Sequence, residues 1–251
     1  MTDTVTDNKK DIKKEDKKQA FLREIEEMYR AGVHFGYSRS LKHSKMQPFF
    51  LGSKNGAEIF HLEKVYPLFN NALDFVKELG AKRAKILFVA TKPEATDIIE
   101  KAGRDLNMSY VTERWLGGTL TNFEIIKKRI DFFRDLKDKK STTDFSGMTK
   151  KEKGRLEKQL LKMESRFGGL VALTEIPRAL VVVDSKKEEI AVEEARGLKI
   201  PIIAILNSDC DPTAVDYPIP ANDTAVLSIE YLIDKLVKAY KEGMKGTKIE
   251  K

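Results

Sequence analysis

Lys85-Ile86-Leu87-Phe88-Val89-Ala90 (KILFVA, residues 85–90) is apolar after its lysine and shows no alternation. A strand with one solvated face would alternate polar and apolar side chains. An unbroken run therefore predicts a strand covered on both faces, as in a parallel sheet flanked by helices. A helix follows from about Pro93 to Leu106, with proline in the first turn where its missing N–H costs nothing, and then a short strand from Ser109 to Thr112. Downstream the rhythm returns with a strand at Ala179 to Val183, a helix at Glu188 to Arg196 and a strand at Ile202 to Leu206. A short strand at Tyr217 to Ile219 and a helix from about Asp223 to Lys241 complete it. Upstream, Ala57 to Leu62 (AEIFHL) reads as a strand, and Leu68, Leu73, Val76 and Leu79 carry a helix ending at Gly80. Phe21, Leu22, Ile25, Met28 and Tyr29 recur at helical spacing before Gly32. Buried strands alternating with helices predict an α/β fold built on a doubly wound parallel sheet.

The rhythm breaks after Trp115-Leu116-Gly117-Gly118. Phe123, Ile126, Ile130 and Phe133 are spaced by three and four residues, and so are Leu156, Leu160, Met163 and Phe167, on either side of the polar stretch 137–150. Two such seams joined by a polar tip predict an inserted antiparallel coiled-coil helical hairpin over residues 119–168. The sheet domain then comprises residues 21–118 and 169–243. Residues 1–20, too charged to bury a core, are expected as a disordered tail, and residues 244–251 as a flexible basic tail.

Charged side chains make up 34% of the 251 residues, above the roughly 25% of an ordinary domain, and the net charge is +7. The excess is uneven. Residues 31–64 carry a net +3, residues 120–168 a net +6 and residues 235–251 a net +4, whereas residues 169–234 carry −7. Three basic stretches suggest a polyanionic partner. The single cysteine, Cys210, excludes an internal disulfide framework and fits a reducing compartment. No run approaches the 18 or so apolar residues of a membrane span, and the first 20 residues have no apolar centre of a signal peptide, so neither membrane insertion nor export is expected.

Open α/β sheets bind ligands beyond the carboxyl ends of their strands. The loop after KILFVA, Thr91-Lys92-Pro93-Glu94, lacks the glycines that let a backbone wrap a phosphate, and no nucleotide-binding glycine motif occurs elsewhere. Asp184, Asp209 and Asp211 follow strands, which leaves open a sugar-phosphate or nucleotide-handling enzyme. The same residues also suit a helix cap and an Asp-Pro turn. His34, His43 and His61 lack metal-ligand spacing, and Cys210 sits beside carboxylates that disfavour a thiolate. No catalytic, metal or cofactor site is therefore expected.

The basic stretches offer more. Between Tyr37 and Lys54, Arg39, Lys42, Lys45 and Lys54 are interleaved with Tyr37, Phe49 and Phe50. Cations suit phosphates and aromatics suit bases, although the phenylalanines also suit a core. The hairpin adds Lys127, Lys128, Arg129 and Arg134 on its first helix and Lys150, Lys151, Lys153, Arg155 and Lys158 on its second. Lys92 and Arg114 stand at strand ends. Candidate RNA contacts are thus Arg39, Lys42, Lys45, Lys54, Lys92, Arg114, Lys127, Lys128, Arg129, Lys151 and Arg155.

Several blocks resemble one family: Ala31 to Gly36 (AGVHFG), Lys45-Met46 with Pro48-Phe49, Arg114 to Gly118 with Leu120-Thr121-Asn122, and Phe167-Gly168-Gly169. Val181 to Asp184, and Asp211-Pro212 followed by Val215 to Pro220 and Asn222-Asp223, continue the likeness. Together they resemble the bacterial-type small-subunit ribosomal protein S-two family, over about Phe21 to Gly243. That resemblance implies a flavodoxin-like sheet with a coiled-coil hairpin and a structural, non-enzymatic role in the cytoplasmic ribosome. It further implies contacts with small-subunit ribosomal RNA and neighbouring ribosomal proteins, including the large RNA-binding protein S-one, without homo-oligomerisation. The chain departs from the family pattern at Tyr37, usually His, at Lys42-His43-Ser44, usually aromatic-Asn-Pro, at Asn207, usually Asp, and at Ala221, usually Gly.

Overall fold

A computed structural model describes residues 19–142 and 149–246. Most of the expected N-terminal tail, the centre of the hairpin tip and the last five residues lie outside the described residues. Five parallel strands form the central sheet: β4 (Ile86–Val89), β5 (Ser109–Val111), β6 (Ala179–Val183), β7 (Ile202–Leu206) and β8 (Tyr217–Pro220). All residues of β4, β6 and β7 are buried, as the unbroken apolar runs require. The spatial order is β5-β4-β6-β7-β8, with every neighbouring pair parallel. Counted along the chain this is order 2-1-3-4-5, the flavodoxin-like arrangement, with its switch point between the carboxyl ends of β4 and β6.

Helices cover the sheet. Helix α3 (Pro93–Leu106) connects β4 to β5 and α6 (Glu189–Gly197) connects β6 to β7, whereas α2 (Leu62–Ala81) leads into the sheet and α7 (Val226–Gly246) follows its last strand. Helices α2 and α7 approach so closely that a Cβ at Gly80 would strike the Tyr240 carbonyl, and one at Gly243 the Lys77 carbonyl. Only glycine permits that spacing. Helix α7 runs three residues past the expected boundary at 243, because Met244 still packs on the core, so the basic tail does not begin at 244. At the other end helix α1 (residues 19–30) begins two residues inside the expected tail. It is pinned by the buried Met28 and by Lys235 Nζ, 2.8 Å from Glu24 and 3.0 Å from Glu27.

One part of the fold differs from the sequence expectation. Residues 57–62 do not join the parallel sheet, and residues 37–54 are not simply a loop. Strands β1 (Phe35–Ser38), β2 (Phe50–Lys54) and β3 (Ala57–Phe60) form a separate antiparallel sheet in the order β1-β3-β2. Asn55 (φ 52°) and Gly56 (φ 82°) turn the chain between β2 and β3. An Asn-Gly pair takes this left-handed conformation readily and matches the twist of a two-residue hairpin. Two 3-10 turns, Arg39–Leu41 and Ser44–Phe49, carry the basic segment between β1 and β2.

Helices α4 (Phe123–Thr142) and α5 (Lys150–Phe167) occupy the expected insertion. Helix α5 returns along α4, with Lys137 Nζ 3.1 Å from Glu164 and Arg134 donating to the Val171 carbonyl. Ile126, Ile130, Phe133, Leu160 and Phe167 are buried at this junction, and Phe123, Leu156 and Met163 are partly so. Thr149 and Glu152 form a reciprocal capping box that starts α5.

Candidate nucleic-acid interface

The switch point is occupied by an ion cluster. Lys92, which follows β4, has its Nζ 2.7 Å from Asp184 after β6 and 2.6 Å from Asp223 after β8, and also donates to the Tyr37 hydroxyl at 3.0 Å. Lys92 is 7% exposed and Asp223 fully buried. Burial by itself would lower the Lys92 pKa, but the two carboxylates outweigh it and raise it, so the ammonium stays charged. The charge of Lys92, an expected RNA contact, is thus neutralised by carboxylates inside the protein. Asn207 completes the cluster by donating to Asp223 at 2.6 Å and accepting from the Tyr37 backbone N–H at 3.1 Å. Two departures from the family pattern, Tyr37 and Asn207, thus meet around one lysine.

The strand-end aspartates do not converge on one charged partner. Asp184 (φ 68°) accepts from the Lys186 and Lys187 N–H groups, each at 3.1 Å, and turns the chain into α6. Asp209 pairs with Lys186 at 3.0 Å, and Asp211 with Lys45 at 2.7 Å while capping the turn at Thr213. Each carboxylate is held by a different lysine. Burial, together with Asp184 and Asp209, pushes the Cys210 thiol up to about 12, so it is protonated at neutral pH. Among the described residues no three His, Cys, Asp or Glu side chains converge as metal ligands.

The cations of the basic segment divide in two. Lys42 lies 3.2 Å from the buried Glu58 and over the Phe50 ring, and Lys45 is engaged by Asp211. Arg39 and Lys54 are exposed. Phe50 belongs to the core and Phe49 packs against it, so neither ring is open to a base.

Exposure is greater on the helical pair. Lys127, Lys128, Arg129, Lys151 and Arg155 are all exposed. Arg114 is exposed too, but Trp115 beside it is buried, with its Nε1 donating to Glu194 at 2.9 Å. Glu194 also accepts from the N–H groups of Gly118 (2.7 Å), Leu120 (3.0 Å) and Thr121 (3.1 Å) and from the Thr121 hydroxyl. Burial would raise this carboxyl, yet these donors outweigh it and hold it below the ordinary carboxylate value. One buried carboxylate thereby fixes the loop from which α4 departs.

The ribosomal protein S2 family model matches residues 28–243. The small ribosomal subunit protein uS2 of Petrotoga mobilis is 40% identical over 222 residues, which cover 88% of this chain and 77% of that protein. The protein of the same name from Bdellovibrio bacteriovorus is 41% identical over 221 residues, 88% of this chain and 71% of that one.

The chain belongs to the ribosomal protein S2 family.

The family blocks now have physical roles. Arg114 to Gly118 with Leu120-Thr121 wraps Glu194, and Asn222-Asp223 closes the Lys92 cluster. Sequence reasoning missed Glu194 and Asn207 as the centres of these networks. It also missed Glu188, whose buried carboxylate receives the Thr91 N–H at 2.8 Å. Nothing local marks Glu194 and Glu188, whose partners lie 73 to 97 residues away.

Proposed function

We propose that this S2 family member is a structural constituent of the small ribosomal subunit in the cytoplasm, one copy per subunit, and that it docks on ribosomal RNA through the α4–α5 pair. The observation that carries this reading is the distribution of available charge. Lys127, Lys128, Arg129, Lys151 and Arg155 project into solvent from two adjacent helices, whereas Lys42 and Lys92 are matched to buried carboxylates and Lys45 to the partly exposed Asp211. Unmatched surface cations are what a phosphate backbone attracts, through release of its condensed counterions. Arg39, Lys54 and Arg114, exposed on the sheet domain, supply secondary contacts. Helices α4 and α5 act in this reading as an inserted arm, and neighbouring small-subunit proteins, the large RNA-binding protein S-one among them, are the protein partners.

Sedimentation of a cell lysate tests the assignment. The chain is expected to migrate with the small subunit and to leave it as salt is raised. Migration as free protein at low salt would overturn the reading.

A further inference from the structure

Helix α5 carries an arrangement that helix physics alone disfavours. Lys158, Lys162 and Arg166 follow one another at intervals of four, and Arg155 precedes Lys158 by three, so four cations stack along one face. Like charges at this spacing destabilise a helix. No acidic residue stands three or four positions from Lys158, Lys162 or Arg166 to relieve them. Glu152, three residues before Arg155, is occupied by the Thr149 cap. Across the groove Arg129 of α4 adds a fifth cation. Among the described residues none of the five is in an ion pair, although Lys137 and Glu164 pair on the same two helices.

These cations line a groove of about 580 Å³, and beside them lies Phe132, 52% exposed although the ring three positions before Asp135 has a buried neighbour, Phe133. A large exposed ring amid uncompensated positive charge suits a ligand with both anionic groups and a flat π-face. Unpaired RNA has both in each nucleotide, and stacking on aromatic side chains is the usual way in which such bases are held. We infer that the groove between α4 and α5 binds an unpaired segment of ribosomal RNA, its phosphates on Arg155, Lys158, Lys162, Arg166 and Arg129 and a base stacked on Phe132. This inference rests on the RNA-binding reading above and narrows it to one face of the helical pair.

Filter binding of the full chain to small-subunit ribosomal RNA across a salt series tests it. Lys158→Gln/Lys162→Gln/Arg166→Gln should reduce the slope of log affinity against log salt by about 2, the loss expected for three single-strand phosphate contacts. Lys77→Gln/Lys101→Gln/Lys241→Gln, which changes net charge equally on α2, α3 and α7, should leave the slope unchanged. Lys158→Arg/Lys162→Arg should bind like the parent, and circular dichroism of the neutralised triple should show undiminished helix, because the repulsive ladder has been removed. Phe132→Ala should weaken binding about tenfold without altering the slope. Equal slopes for the neutralised triple and its control would overturn the groove while leaving RNA binding intact. An unchanged affinity for Phe132→Ala would overturn the stacked base. Failure of the parent chain to bind RNA at low salt would overturn both this inference and the reading on which it rests.

Discussion

The switch point of the sheet and the α4–α5 pair both concentrate lysine and arginine, yet they use charge in opposite ways. At the switch point Lys92 is enclosed by Asp184 and Asp223 and ties three strand ends together. On the helical pair Lys158, Lys162 and Arg166 stand in a row with no counter-charge among the described residues, at a cost to the helix that holds them. A basic residue therefore says little about nucleic acid until its carboxylate neighbours are known. Matched cations hold the fold, and unmatched ones remain available to a partner.

The largest effect should come from removing the matched charge. Lys92→Met leaves two carboxylates buried without a cation, and breaking such a pair costs about 3–5 kcal/mol in denaturant unfolding. The salt slope of RNA binding by the folded fraction should be unaltered; a reduced slope would place Lys92 at the interface after all. Glu194→Gln comes next, at about 2–3 kcal/mol, since one face of the amide replaces an acceptor for several buried donors. Its pH dependence has a definite sign. The folded Glu194 carboxyl titrates below the ordinary value of about 4.3, so its contribution is complete above that value and is lost as pH falls through the folded pKa. Thermal unfolding from pH 6 to pH 3 should therefore lose less stability in Glu194→Gln than in the parent, and parallel curves would contradict the network.

Neutralising unmatched charge should produce the reverse pattern. Arg129→Gln/Arg155→Gln should weaken RNA binding about tenfold, equivalent to about 1.4 kcal/mol, while Tm stays within a degree or two of the parent. A fall in Tm with unchanged affinity would move these arginines to the matched class. The smallest effect is expected at Lys45, whose pairing with Asp211 is partly exposed. Lys45→Ala should cost less than about 1 kcal/mol in stability and under threefold in RNA affinity.

What could be read in the sequence follows the range of the interactions. KILFVA declares a doubly covered strand because burial on two faces constrains five adjacent residues, Ile86 to Ala90, and the α4 and α5 seams are legible because burial of one stripe repeats every three or four residues. The antiparallel sheet carried one local signal, Asn55-Gly56, which marks the turn between β2 and β3 although the strands themselves are only four or five residues long. The pairing of Lys92 is not legible because its matching carboxylates lie 92 and 131 positions away, where no spacing rule reaches. Glu194 is indistinguishable in sequence from the exposed Glu193 beside it; only the fold brings Trp115 and the 118–121 backbone against one and leaves the other in water. Exposure of the α4 and α5 cations is a matter of helix face and could be anticipated, but their lack of partners across the helical pair could not.

The central claim is that available charge on the α4–α5 pair, not total charge, attaches this chain to the small subunit. Its most direct test is incorporation into small subunits reconstituted without the native protein, with the parent chain compared with Lys127→Gln/Lys128→Gln/Arg129→Gln/Lys151→Gln/Arg155→Gln. The account predicts that at a concentration saturating for the parent the neutralised chain, folded and equally stable, stays largely unbound. Equal incorporation of the two chains would contradict it.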